Sequence, residues 1–200
     1  MLAKQHILGR IDLTLLIVCF LFSCEKPVHR DCFKKQQVVG SQWMSAFTNN
    51  QSLWQTAQQA NGKEIQTCEF KVPEITEELL VNSAVLVYAK FYGYEQSIWP
   101  DEKVGLLPVE IWHTVVGGSL DQWNAAVEPG KATVTLKNTS GKALHYIDDK
   151  IVFRLIVIPK SALIVDGTKP VGDNPLGQYT EGELRTLSYD EICRTAGLSK

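Results

Sequence analysis

His145-Tyr146-Ile147-Asp148-Asp149 is the densest run of chemistry-bearing side chains in this 200-residue sequence. An imidazole beside two carboxylates can hold a divalent cation, or pair a general base with the group that orients it. The spacing matches no metal geometry, however, and Asp-Asp ahead of an apolar run is ordinary turn chemistry. We therefore read a solvated turn and assign no metal. A second grouping is Tyr94, Trp99, Asp101 and Glu102, together in one stretch of turn-forming residues. Aromatic rings can stack on sugar faces while carboxylates accept bonds from sugar hydroxyls, so these four are the candidate ligand-binding residues. The competing reading makes Trp99 packing at the end of a β-domain, the commoner use of tryptophan in such proteins. Arg154 interrupts an apolar run and must find a partner or a solvent edge. It could contact an anion or glycan, but an ion pair or a snorkelling side chain is the simpler expectation. His113 sits beside Trp112 and reads as a surface or packing residue.

No recognisable catalytic pattern accompanies these groups. The sequence has no Gly-x-Ser-x-Gly elbow, no His-Glu-x-x-His, no Gly-x-Gly-x-x-Gly and no calcium loop. Gly130-Lys131-Ala132 and Gly141-Lys142-Ala143 lack the upstream glycine and the Ser/Thr of a phosphate loop. No catalytic residue and no cofactor are assigned, and the chain is expected not to be an enzyme. An envelope hydrolase with an unfamiliar site is the alternative from another class. A formal charge of −2 offers no electrostatic footprint for nucleic acid.

The elements that would position such groups begin after a targeting segment. Lys4 and Arg10 precede a dense apolar run over residues 13–22, too short to span a bilayer comfortably, for which about 20 residues are needed. The run closes on Leu21-Phe22-Ser23-Cys24, which resembles a bacterial lipoprotein signal: an aliphatic residue, a small residue, then the cysteine that carries lipid. Phe22 is bulkier than the common pattern. An ordinary secretory signal cut elsewhere, or an anchor helix, is the alternative. The expectation is a signal peptide over 1–23, lipidation at Cys24 and membrane attachment through the lipid. Removing the signal also removes Cys19, leaving Cys32, Cys68 and Cys193 beside the lipidated residue. An odd number leaves at least one thiol unpaired within the chain.

Residues 24–37 are polar and aperiodic, a flexible tether. Beyond them, alternation with a period of two marks strands. Residues 84–92 give the clearest case, with Val85, Val87, Ala89 and Phe91 on one face, which is expected to pack inward. Residues 64–72 point Cys68 and Phe70 inward, and 132–137 point Thr133, Thr135 and Lys137 outward. A further strand starts at Val109, and another over 121–127 carries Trp123. Residues 151–158 are apolar on both faces, as a central strand would be. Residues 38–60 resist assignment. Asn61-Gly62 and Pro129-Gly130 are tight-turn signals. Thr76 can cap a short crossover helix, with Glu77 and Glu78 in its first turn. Ser188-Tyr189-Asp190-Glu191 is a capping box for a short C-terminal helix stopped by Gly197. Residues 160–187, rich in Gly, Pro and Asp, read as irregular.

Many short strands about ten residues apart predict an all-β fold, an antiparallel β-sandwich of Ig-like or jelly-roll-like type, as one domain over 38–200. The pattern resembles small lipoproteins of the Bacteroidetes to which no activity is attached. The shared features are Phe22-Ser23-Cys24, Pro73-Glu74-Ile75-Thr76, Val85-Leu86-Val87-Tyr88 and Leu107-Pro108. Phe153-Arg154-Leu155-Ile156-Val157-Ile158-Pro159 and Leu187-Ser188-Tyr189-Asp190-Glu191-Ile192-Cys193 complete them. The resemblance implies fold and location only, an outer-membrane-attached envelope lipoprotein on either face of that membrane; apart from it, we expect a non-enzymatic binding or structural module. Its partner would be carbohydrate or an envelope protein, and its oligomeric state is open.

Overall fold

Alternation of apolar and polar residues becomes pleated strand wherever one face can be buried, and twelve strands form among the described residues. The computed structural model describes residues 38–48, 51–113, 118–141, 151–170 and 172–200. The chain divides into two compact units, Met1–Lys35 and Gln36–Lys200, and every described residue belongs to the second. The expected signal peptide, Cys24, Cys32, the 24–37 tether and the His145–Asp149 run lie outside the described residues.

In chain order the strands are β1 (Val39–Gly40), β2 (Met44–Ser45), β3 (Phe47–Thr48), β4 (Gln51–Ser52), β5 (Trp54–Gln58) and β6 (Glu64–Val72). They continue with β7 (Ser83–Lys90), β8 (Val104–Leu106), β9 (Val109–His113), β10 (Ser119–Glu128), β11 (Gly130–Asn138) and β12 (Val152–Pro159). The first sheet runs β1-β12-β7-β8, with β2 also paired to β12; the second runs β5-β6-β11-β10-β9. All pairings are antiparallel, and β3 and β4 form a separate small ribbon. The all-β sandwich expected from the sequence is the architecture observed.

Helix α1 (Glu77–Val81) is the crossover between the sheets, with the Thr76 side chain accepting from the Leu79 amide. Pro129 and Gly130 close the β10–β11 hairpin, where Gly130 takes φ +76°, a conformation that a residue with a Cβ rarely adopts. Between β8 and β9 the chain passes from the first sheet to the second through a cis Leu107–Pro108 bond.

The inner faces meet in one core. Cys68, Phe70 and Val72 of β6, Trp123 of β10 and Ala132, Val134 and Leu136 of β11 pack against Val87, Ala89, Phe153, Leu155 and Val157 of the first sheet. Phe91 sits at its aromatic centre, with ring centroids 4.6 Å from Trp123 and 5.2 Å from Trp99. Fully burying one such side chain stabilises the fold by roughly 1.5–3 kcal/mol.

The expectation for residues 84–92, one face inward, is corrected by a second core. Ala84, Leu86 and Tyr88 of β7, with Ile156 and Ile158 of β12, are buried on the opposite face. The cover is the C-terminal segment, which contributes Leu163, Leu176, Leu184, Tyr189, Ile192 and Cys193. This segment is less irregular than its composition suggests. It contains 3-10 turns at Lys160–Ala162 and Pro175–Gln178, helix α2 (Glu181–Leu184) and helix α3 (Tyr189–Ala196). Both helices begin with complete capping boxes, at Thr180/Glu183 and Ser188/Glu191.

Arg154 lies in this second layer, 5% exposed. Its Nε donates to the Ser41 carbonyl at 2.8 Å, and its Nη1 donates to the Ser199 carbonyl at 2.7 Å and to the Tyr189 hydroxyl. The guanidinium also lies 6.0 Å from the Trp43 ring and 5.8 Å from the Tyr189 ring. The expected ion pair or solvent edge gives way to neutral oxygens and aromatic faces. They accept from Nε and Nη1, with no counter-charge on Arg154 among the described residues, and pin the C-terminal tail to the sheet.

Candidate functional site

The 93–103 segment leaves β7, turns over one end of the sandwich and returns as β8. Backbone bonds from Ile98 and Trp99 to the Glu95 carbonyl, and from Lys103 to that of Pro100, shape it into consecutive turns. The four candidate residues are in this segment, and the structure separates them into two pairs.

Trp99 is 3% exposed. Its edge meets Phe91, its Nε1 donates to the Lys103 carbonyl at 3.3 Å, and the Lys103 ammonium covers its ring at 4.0 Å. A Cβ on residue 105 would come within 2.7 Å of the indole, so Gly105 makes room for it. A ring enclosed this way offers no face to a sugar, and Trp99 takes the packing role. Tyr94 is half-buried; its hydroxyl donates to Asp121 Oδ2 at 2.7 Å and accepts from Trp123 Nε1 at 2.9 Å. Asp101 and Glu102 remain exposed on the turn, where the Asp101 amide donates to Gln96 Oε1 at 3.2 Å. The aromatic patch expected to combine all four is therefore not assembled: the aromatics face the core and the carboxylates face solvent.

Beneath Tyr94 is a polar cluster that sequence reasoning missed. Asp121 is fully buried, and Asn138 Nδ2 donates to its Oδ1 and, at 3.2 Å, to Ser119 Oγ. Asn138 Oδ1 in turn accepts from the Ser140 amide at 2.7 Å. The available signal was phase. Asp121 keeps step with Trp123, Ala125 and Val127, and a period of two sends all four to the inner face. Chemically, the cluster joins the 93–103 segment to β10 and β11 through hydrogen bonds sheltered from water, where such bonds strengthen one another. Among the described residues, no group of three or more His, Cys, Asp or Glu could hold a metal ion.

The outer face of the second sheet has the opposite character. Trp112, on edge strand β9, is 59% exposed; Trp43 and Trp54 are half-buried and Trp99 and Trp123 buried. Register places Leu120 directly beside Trp112 and Gln122 beside Glu110. The Gln122 amide donates to Glu110 Oε1 at 2.8 Å. Next on the same face come Asn124, Thr135, Thr133 and Lys137 of β10 and β11, then Thr67 of β6. Here too phase was the clue, because Trp112 alternates with Ile111 and shares a face with Glu110. Gly118, at φ +75°, lies so close that a Cβ there would stand 3.0 Å from the indole Cζ2. Gly118 thus leaves room for the ring, much of whose surface faces water.

No protein-family model, no curated protein and no solved structure matches the chain. No helix among the described residues is long and apolar enough to cross a membrane, which leaves β-barrel spans unaddressed.

Proposed function

We propose that this chain is a lipid-anchored module of a bacterial cell envelope, as its resemblance to small Bacteroidetes lipoproteins implies, and that it binds a partner rather than catalysing a reaction. The observation that carries the reading is the order Lys4, Arg10, apolar run, Ser23-Cys24, followed by an aperiodic polar stretch. Acylated at Cys24, the chain would gain roughly 0.8 kcal/mol per buried methylene, and two or more acyl chains give stable attachment. The 24–37 tether would then set the folded domain at a distance from the lipid, outside the outer membrane's hydrocarbon. Binding rather than catalysis is supported by the missing catalytic patterns and by the Tyr94–Asp121–Asn138 groups, which bond to one another inside the domain.

Cys24→Ser tests the anchor. The natural chain should be processed and enter the detergent phase on Triton X-114 partitioning, and the variant should stay unprocessed and lose that partitioning. Unchanged processing and partitioning of the variant would refute lipidation at this cysteine.

A further inference from the structure

We infer that the chain pairs with a second copy of itself along edge strand β5, the two strands running antiparallel about Ala57. Strand β5 ends its sheet, with β6 on one side only, and residues 55–58 are exposed. An open edge is a template for another strand, and proteins blunt theirs with charge, proline or shortness. The other ends of the two large sheets carry such devices. Strands β1 and β2 have two residues each and β8 three, with Lys103 just before β8 and Pro108 just past it. Strand β9 bears Glu110. Around β5 these devices are absent: residues 48–62 hold no charge and no proline, although 21% of the chain is charged.

Register selects an identical strand as the occupant. The Gln59 amide donates to the Lys63 carbonyl at 2.7 Å, so Gln55, Ala57 and Gln59 turn their main-chain groups towards β6. The amides and carbonyls of Trp54, Thr56 and Gln58 therefore point away from it. The Trp54 amide already donates to Ser52 Oγ at 3.2 Å, which leaves Thr56 and Gln58, one on each side of Ala57. A two-fold axis through Ala57 sets Thr56 against Gln58 of the second copy, and Gln58 against its Thr56. Each of these pairs then exchanges both N–H···O bonds. Other registers need the Trp54 amide or run into the Asn61-Gly62 turn. The same-residue pair on the axis is a non-hydrogen-bonded one, where side chains come closest, and alanine fits there. Gln55 meets Gln59 of the second copy, and no like charges face each other.

The pairing goes beyond the anchored-module reading and does not need the lipid, although holding both copies at one membrane would raise their effective concentration. The test uses the full chain in detergent micelles. Cα atoms of a non-hydrogen-bonded pair are about 4.5 Å apart, within the range of about 4.4–6.8 Å that a disulfide bridges. Copper–phenanthroline oxidation should therefore link Ala57→Cys chains into a covalent dimer at least tenfold faster than Gln55→Cys chains, whose thiols the same axis holds out of register. The natural chain sets the background from its own cysteines. Thr56→Lys with Gln58→Lys sets like charges opposite each other and should weaken self-association at least tenfold in sedimentation equilibrium. Thr56→Lys with Gln58→Glu makes opposite pairs at the same places and should restore it, with circular dichroism unchanged in both. Adding Cys24→Ser to Ala57→Cys should leave the cross-link in place, so failure of the anchor and failure of the edge are read separately. A natural chain that stays monomeric at every concentration, equal cross-linking at positions 55 and 57, or a dimer indifferent to both charge variants would each overturn the proposal.

Discussion

Trp99 and Trp112 stand thirteen positions apart, and the environment of each ring decides what it does. Phe91, the Lys103 ammonium and the space left by Gly105 enclose Trp99. Truncating it would leave a cavity in a close-packed region, and Trp99→Ala should cost about 3–5 kcal/mol in a urea titration. A loss under about 1 kcal/mol would mean that the 93–103 segment collapses around the missing ring and that the indole is not a structural anchor. From the sequence, Trp99 was the ligand candidate and Trp112 was not singled out. The preference for Trp99 rested on its turn-rich neighbours, which describe the backbone and carry no information on what covers the ring. Asp121 shows the same gap in reverse: alternation could place it inside, but the hydroxyl that meets it belongs to Tyr94, from a distant part of the chain.

Among the elements, the C-terminal helix α3 was readable residue by residue. Ser188 accepts from the Glu191 amide at 3.3 Å, while the Glu191 carboxylate accepts from the Ser188 amide at 2.8 Å and from its hydroxyl at 2.7 Å. Gly197 closes the helix at φ +69°, and its amide bonds back to the last turn. These are local bonds between neighbours in sequence, so local sequence encodes them. Ser188→Ala should lower stability by about 1 kcal/mol at neutral pH. The Ser188 bonds hold the Glu191 carboxyl below its ordinary range. That contribution is present above the unfolded carboxylate value and fades as pH falls through the folded one. The gap between natural and Ser188→Ala chains should therefore narrow in acid melts; a gap that is constant from pH 7 to pH 3 would exclude the carboxylate from the cap. What local sequence does not encode is where α3 docks. That depends on Ile192 and Cys193 meeting β7 and β12, and on Arg154 reaching Tyr189 and the Ser199 carbonyl.

The described unit is a sandwich with an extra cover, and three of the weak acids buried in it are pushed to higher pKa. Burial, aided by the neighbouring Glu69 charge, pushes the Cys68 thiol from 9.0 to about 12. Burial and Cys193 push Tyr189 from 10.0 to about 12 against the opposing pull of Arg154, and burial raises Tyr88 as well. Each group keeps its proton longer folded than unfolded, so its contribution is complete below the unfolded value and declines as pH rises towards the folded one. The melting temperature should hold to about pH 9 and then fall steadily towards pH 12. Cys68→Ala should delay the onset to about pH 10, where the tyrosines begin to ionise. A flat melting profile through pH 11 would place these groups in contact with water. The sequence by itself determined strands β6, β7 and β9 to β12, the inward and outward phases of β6 and β11, the Asn61-Gly62 and Pro129-Gly130 turns, and the caps of α1 and α3. All of these follow from period and from contacts between near neighbours. Only the tertiary structure decided that β7 and β12 are covered on both faces, that Trp99 is enclosed while Trp112 stands open, and that Asp121 meets Tyr94. The physical reason is that burial depends on which distant segments arrive against a surface, and the alternation of a strand records its two faces without recording what will cover either.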